Sequence, residues 1–143
     1  MTAIVESLED FFPTYLKRLQ TKDIEGLGAL YSEGASLSSN RGPAGAFWVV
    51  GRDAIKEYLC KMLRIYDVVS ETPVRAAYQI RNDTVAWRHG VFDAVFEEKH
   101  EGPVHKVSVE AFEVLILSPA EGWQYLVDQS CDVQVTTPLV HAA

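Results

Sequence analysis

The stretch TVAWRHGVFDAVFEEK, Thr84 to Lys99, decides the fold. It is rich in Val, Phe, Ala and Trp, and Trp87, His89, Val91 and Asp93 fall on one side of an extended chain while Arg88 falls on the alternate side, which is the pattern of a long strand. Three similar stretches surround it: Glu71 to Arg81, Pro103 to Leu117 and Gly122 to Val133. Asn82-Asp83 is a tight turn between the first pair, Glu101-Gly102 joins the next, and Ser118 to Gly122 joins the last. Connections this short predict antiparallel neighbours.

Toward the N-terminus the apolar period changes from two to three and four. Leu8, Phe11, Phe12, Tyr15, Leu16 and Leu19 predict an amphipathic helix over Ser7 to Gln20, capped by Ser7 with Asp10 three residues on. Pro13 lies deep for a first-turn proline and predicts a kink, or a helix that starts earlier than its cap. Asp23 predicts the cap of a second short helix carrying Ile24, Leu27, Leu30 and Tyr31, ended by Gly34. Ala35 to Ser39 reads as a short strand, followed by a Gly- and Pro-rich loop at Asn40 to Ala46 and an exposed run at Phe47 to Val50. Gly51-Arg52-Asp53 opens a third helix that ends near Tyr66 or Asp67. Three helices followed by a run of long antiparallel strands is an α+β arrangement, with the helices packed on the concave face of a strongly curved, mostly antiparallel sheet. A sheet that curls around helices encloses a pocket. The chain reads as a single domain, 1–143, with its core at about 7–133 and a tail at 134–143.

Composition narrows the function. The 143 residues are 48% hydrophobic and carry 13 Lys+Arg against 20 Asp+Glu, a net charge of -7. An acidic chain without a basic cluster is a poor partner for nucleic acid. No stretch reaches the roughly 20 apolar residues of a membrane span, and the acidic start of the chain is unlike a leader peptide. A cytoplasmic protein is expected, with Cys60 and Cys131 as reduced thiols. GxGxxG, P-loop, HExxH and G-x-S-x-G patterns are missing from the sequence. His89, His100, His105 and His141 lack metal-ligand spacing apart from the loose His100 and His105 pair, so no metal site is expected.

Local signatures then add a resemblance. Asp23-Ile24-Glu25-Gly26-Leu27 with Leu30-Tyr31, Gly51-Arg52-Asp53-Ala54-Ile55, Thr84-Val85-Ala86-Trp87 with Gly90, and Gly122 to Gln129 together resemble the nuclear transport factor two-like, or SnoaL-like, superfamily, also grouped as a cystatin-like fold, over about 7–133. The resemblance implies a conical, often apolar pocket between helices and sheet, and a homodimer through the sheet. It also implies that enzymes of the group work without metal or cofactor, as isomerases, dehydratases or cyclases. Other members only bind ligands.

Asp128 is the first catalytic candidate, because a carboxyl buried in an apolar pocket has its pKa raised toward neutrality, where it can exchange protons with a carbon acid. The late-strand aspartate of polyketide-cyclase relatives is the position it resembles. Strict alternation puts Leu126, Asp128, Ser130 and Asp132 on one face and Tyr125, Val127, Gln129 and Cys131 on the other. His89 is a second candidate, as a proton shuttle, with Asp93 as its natural partner and Glu110 on the alternate face. Tyr15 resembles the hydroxyl donor of ketosteroid isomerases, although the aspartates of that constellation find no match in Ser36 to Ser39. Phe47, Trp48, Tyr58, Met62, Trp87 and Phe112 are candidates to line the pocket around a small apolar molecule. Each of these residues also has an ordinary structural reading, as core or as a hydrogen-bonded strand residue. Two functions follow: a proton-transfer enzyme acting on an apolar carbonyl-containing metabolite, or a non-catalytic ligand-binding or dimerisation module. The homodimer draws on apolar area supplied by Trp123, Tyr125 and Val127 on the convex side.

Overall fold

Ser7 starts the first helix, α1 (Leu8–Gln20): its Oγ accepts from the Asp10 backbone N–H at 3.2 Å and donates to the Asp10 carboxylate. The computed structural model describes residues 2–99 and 102–135, with residues 76–81 and 133–135 described by their backbone alone. Acidic Glu9 and Asp10 sit in the first turn of α1 and Lys17 and Arg18 in the last, as the helix dipole favours. The helix starts at its cap and continues through Pro13. It does not begin earlier, because the preceding chain pairs with the sheet: the Trp123 N–H donates to the Val5 carbonyl at 2.8 Å.

Helix α2 (Ile24–Gly28) is capped by Asp23, whose carboxylate accepts from the Gly26 N–H at 2.9 Å. It is shorter than the periodicity predicts, and Tyr31 opens a strand instead of closing a helix. Two glycines weaken propagation, and packing explains their presence: a Cβ at Gly28 would lie 2.6 Å from the Lys56 side chain. Strand β1 (Tyr31–Ser39) is thus longer than expected, and Phe47 to Val50, read only as an exposed run, forms β2 (Phe47–Val50). Helix α3 (Arg52–Ile65) passes directly into β3 (Tyr66–Asn82), so that strand begins at Tyr66 rather than Glu71. Strands β4 (Val85–Glu98), β5 (Val104–Ser118) and β6 (Gly122–Val135) follow. The order is β2-β1-β6-β5-β4-β3 in one open sheet, antiparallel throughout except where β1 lies parallel to β6.

The helices bury Phe11, Leu19, Ile55, Leu59 and Leu63 against Tyr31, Leu37, Leu115, Trp123 and Tyr125 of the sheet. Two bulges set which side chains join them. On β6, Tyr125 faces Leu115 and Val127 faces Val114, leaving Leu126 unpaired. On β3, Val68 faces Phe96 and Ser70 faces Val95, leaving Val69 unpaired. Each extra residue reverses the phase of the strand beyond it. Trp123 and Tyr125 therefore share the inner face with Asp128, against the strict alternation expected from sequence, and all three are buried. Buried in the core, Trp123 and Tyr125 cannot supply the outer apolar area assigned to them.

Candidate functional site

On β4 the buried set is Ala86, Arg88, Gly90, Phe92 and Ala94, so this phase of the strand is the inner one. With the inner phases of β1, β3, β5 and β6 and with α1 and α3, it bounds a cavity of about 250 Å³. Much of the wall is apolar: Phe12 and Leu19 from α1, Leu59 and Met62 from α3, and Val68, Phe92, Phe96, Val107 and Val109 from the sheet. Phe47 stacks on Tyr58 with ring centroids 3.9 Å apart, and both line the cavity beside Gly42 and Pro43 of the Gly- and Pro-rich loop.

Charge crosses this wall in a single row. Arg88, Glu113 and Asp128 are register partners on β4, β5 and β6, and all three side chains are buried. The Arg88 guanidinium ion-pairs with Glu113 and lies 4.6 Å from the ring centres of both Phe12 and Phe92, a position that suits a weakly hydrated cation. The Tyr125 hydroxyl donates to the other Glu113 oxygen at 2.8 Å. Asp128 accepts from the Tyr31 hydroxyl at 2.6 Å, and the Tyr15 hydroxyl lies 3.4 Å from that of Tyr31.

Burial is the largest influence on these groups. It pushes the Asp128 carboxyl up to about 8, reinforced by the negative charge of Glu113 and opposed by the Tyr31 hydrogen bond and by Arg88. Glu71, on the cavity wall, is pushed up to about 7 by burial and then by Glu113, with Arg88 acting the other way. Burial also raises Glu113, against the pull of Arg88. The Tyr15 and Tyr31 phenols are raised well above their ordinary value, by burial first and then by Asp128, so they remain hydroxyl donors. The site can therefore present neutral O–H groups to a substrate oxygen inside apolar walls at neutral pH.

Asp128, Tyr15, Tyr58 and Met62 all line the cavity. His89 does not. It lies on the opposite phase of β4, exposed, with its Nε2 3.4 Å from the Glu110 carboxylate. Glu110 thus shares the His89 face, and Asp93 accepts from Ser108 Oγ at 2.8 Å rather than pairing with His89. Trp87 and Phe112 belong to the same outer face, and Trp48 on β2 is 74% exposed, so none of these three lines the cavity. Sequence reading missed Arg88, Glu113, Glu71, Tyr31 and Tyr125. The signal for Arg88 was its phase: it shares that phase with Ala86, Gly90 and Ala94, small residues suited to a wall packed from within. A charge in that phase requires a partner across the sheet. His105 also lines the cavity, bonded to Glu98 at 3.1 Å, whereas His100 and His141 lie outside the described residues. Among the described residues no group of three His, Cys, Asp or Glu side chains is arranged to hold a metal ion, and no helix is long and apolar enough to cross a membrane. Cys60 and Cys131 are free thiols.

No protein-family model matches the chain, and no curated protein matches its sequence. Solved structures do match its fold. A ketosteroid isomerase-like protein from Erwinia carotovora atroseptica has a TM-score of 0.73 at 16% identity, covering 89% of this chain and 94% of that one. A candidate scytalone dehydratase from Novosphingobium aromaticivorans has a TM-score of 0.75 at 20% identity, covering 89% and 82%. A candidate dehydratase of the NTF2-like family from Streptomyces avermitilis has a TM-score of 0.69 at 13% identity, covering 89% and 94%. The chain has the nuclear transport factor two-like fold.

Proposed function

We propose that this protein is a cofactor-free enzyme that moves a proton on an apolar, carbonyl-containing small molecule, as an isomerase, dehydratase or cyclase, with Asp128 as its acid–base group. One observation carries the reading: a carboxyl buried in a largely apolar cavity wall, bonded to the Tyr31 hydroxyl beside an ion-paired glutamate, surroundings that push it up to about 8. A neutral carboxyl can donate to a carbonyl oxygen as negative charge develops there, and Tyr15, from α1, brings a second hydroxyl to the same cavity. A curved sheet around the cavity would give it the conical form of the fold. The isomerase-like and dehydratase descriptions of the fold's neighbours support the same class of chemistry.

The test needs no knowledge of the natural substrate. β-Tetralone is flat, apolar and acidic at the carbons beside its carbonyl, and NMR follows replacement of those protons in deuterium oxide. The protein is expected to accelerate exchange at about pH 7, D128N to reduce the acceleration by about a hundredfold or more, and the rate to fall above about pH 8 as Asp128 ionises. Tight binding of β-tetralone with no acceleration would instead favour the second reading, a ligand-binding or dimerisation module. That reading draws on the outer sheet face, where Phe112 is 44% exposed and Leu126 also reaches solvent. A homodimer through this face, in the cytoplasm, belongs to either reading.

A further inference from the structure

We propose that Glu71 is the base of this site, taking a proton from a substrate carbon while Asp128 supplies one to the substrate oxygen; the proposal rests on the enzymatic reading above. Glu71 reaches the cavity only because of the Val69 bulge. Without the extra residue it would follow the outer phase of β3; with it, Glu71 pairs with Ala94 on the inner phase and lines the cavity. The bulge is braced from α1, where the Gln20 amide donates to the Val69 carbonyl at 3.0 Å. A bulge that re-aims a side chain beside a cavity is a recurrent functional device.

The other cavity carboxyls are engaged. Glu113 holds Arg88 and Tyr125, Asp128 holds Tyr31, and Asp132 at the rim pairs with Arg41 at 3.2 Å. Glu71 has no hydrogen-bond or ion-pair partner among the described residues, so its oxygens are open to a substrate proton. The groups that act on it are Glu113 on β5, Arg88 on β4, Asp128 on β6 and Tyr15 on α1. Burial first, and then Glu113 against Arg88, push Glu71 up to about 7, below the value of about 8 for Asp128, which agrees with the geometric assignment of the open carboxyl as base and the Tyr31-bonded one as acid.

The step balances within the site. The Glu71 carboxylate forms an O–H bond as the carbon–hydrogen bond beside the carbonyl breaks, and that electron pair moves into the carbonyl. The oxygen takes the Asp128 proton to give an enol. Returning a proton from Glu71 to the same carbon, and the enol proton to Asp128, restores the ketone and the starting enzyme and is the route by which solvent deuterium enters. Where a carbon–carbon double bond lies β,γ to the carbonyl the enol is a dienol, and protonation at its far carbon gives the conjugated isomer. The substrate class is an enolisable ketone or aldehyde with an acidic carbon adjacent to the carbonyl.

Exchange of β-tetralone in deuterium oxide tests this with E71Q, E71D and D128N. E71Q is expected to slow exchange about a hundredfold, to change β-tetralone affinity less than threefold, and to abolish the rise in rate between about pH 6 and pH 8; E71D recovers part of it. Wild-type rate and pH profile in E71Q, with exchange lost in D128N, would overturn the base assignment and leave the proposed function intact. A wild-type protein that binds β-tetralone without exchanging it would overturn both. Titration of the labelled Glu71 carboxyl by NMR is an independent check: a midpoint between about 6 and 8 is expected, and one below about 5 would overturn the assignment whatever β-tetralone does.

Discussion

Removing the Arg88 guanidinium strands Glu113 as an unpaired carboxylate among apolar side chains, and R88M is expected to lower stability by about 3 to 5 kcal/mol in urea unfolding. Much of that loss should return in R88M combined with E113L, since matched apolar replacement of a buried pair is often close to neutral; a double variant no more stable than the single would contradict this. Asp128 makes the opposite kind of contribution. Its folded pKa, about 8, lies above the roughly 3.9 of an unfolded aspartate. Between those values the folded chain keeps a proton that the unfolded chain releases. The associated stability is thus fully present below about pH 4 and lost as the pH rises through about 8. D128N should therefore lose less melting temperature than the wild type between about pH 4 and 8, and parallel curves would count against a protonated Asp128. Asp128 was legible as a candidate from its late-strand place five residues after Trp123, which the family resemblance marks, although alternation put it opposite Tyr125 in phase. Arg88 and Glu113 were not, because alternation says that Arg88 opposes His89 in phase without saying which of the two faces the helices.

At the level of elements, the three hairpins of the long strands announced themselves through short polar or Gly-containing connections and the helices through their caps and apolar spacing. The β1–β2 hairpin did not, because Phe47 to Val50 reads only as an exposed run after a long Gly- and Pro-rich loop. The bulges left no such mark. Leu126 reads as one more member of an alternating strand, and only its failure to find a partner on β5 shows that it is extra. The α3–β3 junction was hidden for a related reason: no loop residues separate Ile65 from Tyr66. The β5–β6 turn can be tested directly. Gly122 has φ 74°, and a Cβ there would lie 2.4 Å from the Val5 carbonyl oxygen. G122A should cost about 2 kcal/mol or more, through strain and loss of the Val5 bridge. Unchanged thermal unfolding would show that this tie does not matter.

Across the whole molecule, one sheet face is committed to helices and cavity while the other carries Trp87, His89, Phe112 and Leu126. The sequence misassigned residues between the two faces for two reasons: the Leu126 bulge turned Trp123 and Tyr125 inward, and on β4 and β5 alternation alone does not say that Trp87, His89 and Phe112 lie on the outer side. If copies pair through the outer face, sedimentation at micromolar concentration should show a dimer and F112D a monomer with the fold retained; a wild-type monomer would contradict the pairing. The central claim concerns the inner face: a carboxyl kept neutral by its surroundings. NMR titration of the labelled Asp128 side-chain carboxyl in the ligand-free protein tests it most directly. A midpoint near 8 is predicted, whereas a midpoint below about 5, ordinary for an aspartate in water, would contradict it.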